Sequence, residues 1–100
     1  MNRARALQFE WDPKKAKTNF AKHHVDFESA IRAFDDPSNM VEIDDGPQAE
    51  ERWRLTGFSG TRLIFVVYVE PDDGIVRIIS AREATKHEQV RYYRQALPQG

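Results

Sequence analysis

Two histidines stand side by side at positions 23 and 24, directly after Lys22. A histidine titrates near neutrality and can take or give a proton during phosphodiester cleavage. At the end of a helix it serves equally well as a cap for free carbonyls. Three arginines, Arg54, Arg77 and Arg82, fall in or just after extended segments. Arginine grips a phosphate through two parallel N–H bonds and stabilises the added charge of a phosphorane-like transition state. The same residues also read as solvated strand positions or as partners of acidic neighbours. A third group lies in the polar stretch 80–88. There Thr85 and Glu88 have the spacing of a capping box, which leaves Arg82, Lys86 and His87 together at the start of a helix. Free N–H groups at such an end favour an anion. Trp53, Phe58, Tyr68, Tyr92 and Tyr93 are able to stack on bases, although core packing is the commoner role. One of the adjacent pair Tyr92 and Tyr93 is a candidate for a hydrogen bond near the basic cluster. No metal site is expected: the chain has no cysteine and no His-x-x-x-His pair, and the acidic loop 42–51 lacks a calcium-loop pattern.

These residues need elements to hold them. Residues 6–10 read as an edge strand. Asp12-Pro13 is a helix start, a capping carboxylate followed by the residue suited to the first turn. The helix runs over 14–23 with a thin apolar stripe of Ala16, Phe20 and Ala21 among lysines 14, 15, 17 and 22. Asp26 caps a second helix over 27–34, where Phe27, Ala30, Ile31 and Phe34 recur at helical spacing. Strands follow at 40–43, 52–58, 62–70 and 75–81. In 52–58, Trp53, Leu55 and Gly57 share one face; 62–70 is apolar enough to be buried on both faces. Pro71-Asp72-Asp73-Gly74 is a hairpin turn. A last helix covers 85–97 and ends at Pro98. The order predicts an α+β domain: a small antiparallel sheet of about four strands, two N-terminal helices and one C-terminal helix, with the helices on one face.

Length and charge set outer limits. One hundred residues argue for a single domain spanning 1–100. No apolar run is long enough to span a bilayer, and the first residues lack a signal-peptide pattern, so the expected setting is the cytoplasm without membrane contact. The net charge of −1 argues against a general nucleic-acid scaffold. The charge is uneven, however: residues 51–100 carry eight Lys/Arg against six Asp/Glu, so a local basic cleft is open.

At this point a resemblance enters. Phe9-Glu10-Trp11-Asp12-Pro13, followed by Lys15, Asn19 and Lys22-His23, resembles the opening of the BrnT-type toxins. Phe27-Glu28-x-Ala30 and Phe34-Asp35-Asp36-Pro37 continue the likeness. Arg54-Leu55-x-Gly57, the run Leu63 to Tyr68, Arg77-Ile78-Ile79-Ser80-Ala81-Arg82-x-Ala84 and Glu88 complete it, over roughly residues 7 to 94. The resemblance implies a ribonuclease toxin of a type II toxin–antitoxin system with a RelE-like fold. It implies RNA as substrate and a cognate BrnA-like antitoxin as protein partner in a hetero-oligomeric complex. Operator DNA is reached only through that antitoxin. One feature departs from the pattern. Where such toxins often carry basic residues after the glutamate, this chain has Gln89 and Val90, and Arg91 comes only next.

The combined expectation is an endoribonuclease that needs neither metal nor cofactor, since the RNA 2′-OH is itself the nucleophile. His23 is the candidate for proton transfer, with Lys22, Lys86 or Glu88 as substitutes. Arg77 and Arg82 supply charge stabilisation. Arg54 grips a flanking phosphate, and Lys22, Lys86, Arg91 and Tyr92 are the further RNA contacts. The alternative is a non-enzymatic partner that binds the antitoxin and tunes operon repression.

Overall fold

The computed structural model describes residues 6–44, 46 and 50–97; Asp45 and residues 47–49 of the acidic loop, and Pro98, lie outside them. The elements are β1 (Gln8–Glu10), α1 (Pro13–His23), α2 (Phe27–Ala33), β2 (Met40–Asp44), β3 (Arg52–Ser59), β4 (Arg62–Asp72), β5 (Ile75–Glu83) and α3 (Lys86–Ala96).

Local chemistry sets the helix starts. The Asp12 carboxylate accepts from the Lys14 N–H at 2.9 Å, with Pro13 in the first turn. Asp26 accepts from the Ser29 N–H at 2.6 Å, and that bond leads the causes that hold its carboxyl below the usual range. Thr85 and Glu88 form the expected capping box on α3.

The strands lie in the order β1-β5-β4-β3-β2. β2 to β5 form an antiparallel meander, as the turn residues predict. Among the described residues the sheet nevertheless has five strands and is mixed, because β1 pairs parallel to β5 along Gln8↔Ile75 to Glu10↔Arg77. The chain leaves β1 through two helices and reaches β5 last, so the two edge neighbours run the same way. β1 ends at Glu10, leaving the outer edge of β5 uncovered beyond Arg77.

The core lies between the sheet and α1–α2. Phe27, Ala30 and Ala33 of α2 meet Leu55, Ile64, Val66, Tyr68, Val76, Ile78 and Ala81 of the sheet. Gly57 lets α2 approach: a Cβ there would stand 2.8 Å from the Ala33 carbonyl oxygen. Phe9 and Tyr68 each pack edge-on against Phe34, with ring centroids 5.0 Å apart.

Two expectations change. Phe20 and Ala21 are exposed, and the residue that α1 buries is Asn19. Its side-chain amide pairs with a strand: Nδ2 donates to the Ala81 carbonyl at 2.8 Å and Oδ1 accepts from the Ala81 N–H at 3.1 Å. Asn19 therefore continues the hydrogen bonding of β5 where β1 has stopped, and Nδ2 also donates to the Val25 carbonyl. Secondly, the helices do not share one face. α3 lies across the opposite side, joined to it by Arg82–Glu88, Arg91–Glu42 and the Phe58–Tyr92 ring contact. Its cover is partial, so Leu63, Phe65 and Val67 of β4 are half-buried while Ile64, Val66 and Tyr68 are buried.

Candidate nucleic-acid cleft and arginine face

The register of the sheet arranges the charged side chains. Residues paired across strands point to the same side. Away from α1 and α2, one row therefore runs Glu10, Arg77, Val69; the next Ser80, Val67, Arg54, Glu42; the third Arg82, Phe65, Thr56, Met40. Arg54, Arg77 and Arg82 thus share one face, as expected, but they do not converge.

Each has a carboxylate partner. Arg77 Nε donates to Glu10 at 2.7 Å. Arg54 lies 3.9 Å from Glu42, which also pairs with Arg91, and donates to the Ile43 carbonyl at 3.2 Å. Arg82 makes the best-built pair, with two parallel bonds to Glu88 at 2.9 Å each while its guanidinium lies 4.2 Å from the centre of the Phe65 ring. Burial alone would raise the Glu88 carboxyl. The Arg82 bonds and the Thr85 N–H outweigh it and hold the group below the usual glutamate range. Glu88 is therefore a settled anion that fixes Arg82 in plane.

α3 is pinned at its other end by Asp36. That carboxylate accepts from the Tyr92 hydroxyl at 2.6 Å and from the N–H groups of Phe58 and Ser38 at 2.8 and 2.9 Å. Burial pushes Asp36 up, but these donors hold it below its usual range. Burial and the neighbouring anion push Tyr92 up to about 12. The expectation of an RNA contact at Tyr92 is corrected accordingly. Its ring is 4% exposed and its hydroxyl is already committed, whereas Tyr93 faces solvent.

The histidine lies elsewhere. An open cleft of about 320 Å³ runs between α1 and the uncovered edge of β5, lined by Lys14, Lys15, Thr18, Asn19, Lys22, His23, Ile79 and Ser80. Among the described residues, no carboxylate lines it. Among the described residues, Lys14, Lys15 and Lys22 make no ion pair. The cleft thus gathers three lysines that have no ion pair among the described residues. It meets the arginine face at Ser80, which stands on β5 between Arg77 and Arg82. Of the expected site residues, the structure brings His23 and Lys22 together there. It sets Arg77 and Arg82 on the same strand on either side of Ser80, and it leaves Arg54 and Arg91 at the far edge around Glu42. Lys86 is exposed at the start of α3. Residue types alone did not single out Lys14, Lys15, Thr18 and Ser80. The helical spacing 15, 18, 19, 22 along α1 is a signal that could have found Lys15 and Thr18, and it does not reach Lys14 or Ser80.

A comparison with family models matches residues 11–88 to the ribonuclease toxin BrnT of type II toxin–antitoxin systems. The chain belongs to that family. Among solved structures, the Brucella abortus ribonuclease toxin BrnT is similar, at 26% identity and a TM-score of 0.63, over 81% of this chain and 100% of that one. No curated protein matches. Membership gives this chain the class of a ribonuclease toxin with a protein antitoxin as partner, and the α+β architecture agrees with the Brucella BrnT fold. The BrnT family match stops at Glu88. The cleft and the Arg82–Glu88 pair fall inside it, and most of α3, which runs to Ala96, falls beyond it.

Proposed function

We propose that this BrnT-family chain cleaves RNA by attack of the ribose 2′-OH on the adjacent phosphorus, without a metal, and that a BrnA-like antitoxin neutralises it. The observation that carries the reading is the cleft in which His23 and Lys22 stand beside unpaired lysines at the edge of β5. His23 takes the 2′-OH proton as the O–P bond forms. The 5′-oxygen leaves and takes a proton from solvent water, giving a 2′,3′-cyclic phosphate and a 5′-OH end. The pentavalent phosphorus gathers negative charge, which Lys22, Arg77 and Arg82 stabilise. Glu88 keeps Arg82 oriented. Arg54, Lys86 and Arg91 meet flanking phosphates. Cleavage of cellular RNA in the cytoplasm would arrest growth until the antitoxin, which also carries the complex to operator DNA, covers the toxin.

The test is incubation of purified protein with labelled RNA in EDTA, beside His23→Ala and Arg77→Ala/Arg82→Ala. Cleavage by the unaltered chain alone supports the reading. Cleavage that EDTA abolishes refutes metal independence, and variants as active as the parent refute the assigned roles. One observation favours a second reading, a non-enzymatic partner of the antitoxin: the arginines of the face are already neutralised by carboxylates. A folded chain that binds antitoxin fully yet cuts no RNA, even in translating extracts, would establish it.

A further inference from the structure

The His23 end accounts for only part of the cleft. α1 carries it on for two further turns, from Lys22 to Lys14, a rise of roughly 12 Å at 1.5 Å per residue. That is more room than one phosphate needs. Lys14 and Lys15 project from the far end with Thr18 between them and His23 along the groove. All three are exposed. Both lysines lack an ion pair among the described residues, unlike Arg54, Arg62, Arg77, Arg82 and Arg91. The floor is Ile79 and Ser80 of β5, and the Asn19 amide closes the edge beyond them. A carboxylate ligand or a free anion would need only one of these cations. Lys14 and Lys15 at the far end and Lys22 at the near end match a chain of regularly spaced anions.

We propose that Lys14, Lys15 and Thr18 form a second phosphate subsite, which holds the nucleotide next to the cut bond on an unpaired RNA strand. It rests on the ribonuclease reading for its location, not for its chemistry. Lysine serves here as a point charge on a flexible stem, suited to a backbone phosphate of any sequence. The Thr18 hydroxyl adds a donor to a phosphate oxygen. The volume lies at the low end of the roughly 300–1,000 Å³ of small-molecule pockets. It accommodates one nucleotide unit with its base, which an unpaired strand can seat and a base held in a pair cannot.

The experiment measures binding apart from cleavage. A fully 2′-O-methylated single-stranded RNA oligonucleotide cannot be cut at its 2′ positions and serves as the probe, read by fluorescence anisotropy across salt concentrations. Lys14→Gln/Lys15→Gln is compared with the unaltered chain and with Lys17→Gln, whose lysine is exposed on α1 but does not line the cleft. Single-strand binding loses about 0.7 in the slope of log K against log salt for each phosphate contact, so the double variant, which empties one phosphate subsite, should lose about 0.7. Between 50 and 200 mM salt the unaltered chain should then weaken about 2.6-fold more than the double variant. Lys17→Gln should keep the parental slope, and a duplex of the same sequence should bind more weakly than the single strand. An unchanged slope in the double variant, an equal loss in Lys17→Gln, or preference for the duplex overturns the proposal. So does a failure of the unaltered chain to bind the probe. Failure of the ribonuclease reading looks different: uncut natural RNA together with a slope that still falls by the expected amount.

Discussion

Replacing Glu88 by glutamine tests how the arginine face is held. Glutamine keeps the shape and the N3 position of the capping box, where either residue serves. It loses the charge that receives two parallel bonds from Arg82. A hydrogen bond to a charged group contributes about 1.5–3 kcal/mol. The Glu88 side chain is 14% exposed but Arg82 is 34% exposed, so solvent screening reduces the pair to about 1–2 kcal/mol. In a domain of this size each kcal/mol shifts Tm by about 4–8 °C, so Glu88→Gln should melt roughly 4–16 °C lower at pH 7.

The pH dependence supplies the refutation. The folded Glu88 carboxyl titrates below its ordinary value of 4.5. Its contribution is therefore complete above that value and is lost as pH falls through the folded pKa. Thermal melts of parent and variant, followed by circular dichroism, should differ at pH 7 and converge in strong acid. Glu83→Gln is the control: its partner Arg62 is 42% exposed and Glu83 itself 66%, so it should change stability by no more than about 0.5 kcal/mol. Equal melting of Glu88→Gln and parent at pH 7 would refute the assignment, as would a gap that persists undiminished in strong acid. If Arg82 acts on RNA from this fixed plane, the variant also cuts more slowly under conditions where it is fully folded.

Tyr92→Phe removes the hydroxyl that donates to Asp36 at 2.6 Å but leaves Asp36 its two N–H donors. It should cost about 1–2 kcal/mol in denaturant titration, with α3 amides exchanging faster than those of β4. Asn19→Leu strands the Ala81 N–H and carbonyl at a buried edge; a loss of about 2–4 kcal/mol by the same titration is expected, larger than for any exposed α1 position. His24→Gly should instead stabilise. His24 closes α1 at φ 59, a left-handed conformation that a side chain disfavours, and glycine there should raise stability by about 0.5–1 kcal/mol in the same assay.

The elements were legible because their signals are local. Asp12-Pro13, Asp26 and the Thr85–Glu88 box are capping chemistry within four residues, and each helix starts where they put it. The two-residue periodicity of Trp53, Leu55 and Gly57 likewise set the buried face of β3 before any partner was known. What the sequence hid is long-range. Asn19 looked like one polar residue among the lysines of α1, and only the end of β1 at Glu10 creates the open strand edge that its amide fills. The side of the sheet taken by α3 depends on Asp36, 56 residues from Tyr92, and nothing in the periodicity of either segment encodes that contact. Composition pointed to the arginines because they are the larger basic group in the C-terminal half. It carried no record of which would meet a carboxylate.

That last point changes where charge should act. A net charge of −1 looks unsuited to an RNA ligand, but net charge sums over pairs that cancel locally. Glu10, Glu42, Glu83 and Glu88 are spent on arginines of the sheet, and those pairs fix geometry while adding little field beyond a Debye length. The lysines of the cleft have no such partner among the described residues, so they add a concentrated local attraction for an approaching strand. In the proposed ribonuclease reading, capture then falls mainly to Lys14 and Lys15, while His23, Lys22 and the held arginines carry the chemistry. On that reading the far-end lysines draw the phosphates to the edge of β5, and Arg77 and Arg82 on either side of Ser80 act only once the strand has arrived. A guanidinium already paired is a weak lure but a well-aimed donor, because little orientational freedom remains to be lost when charge develops on the phosphorus.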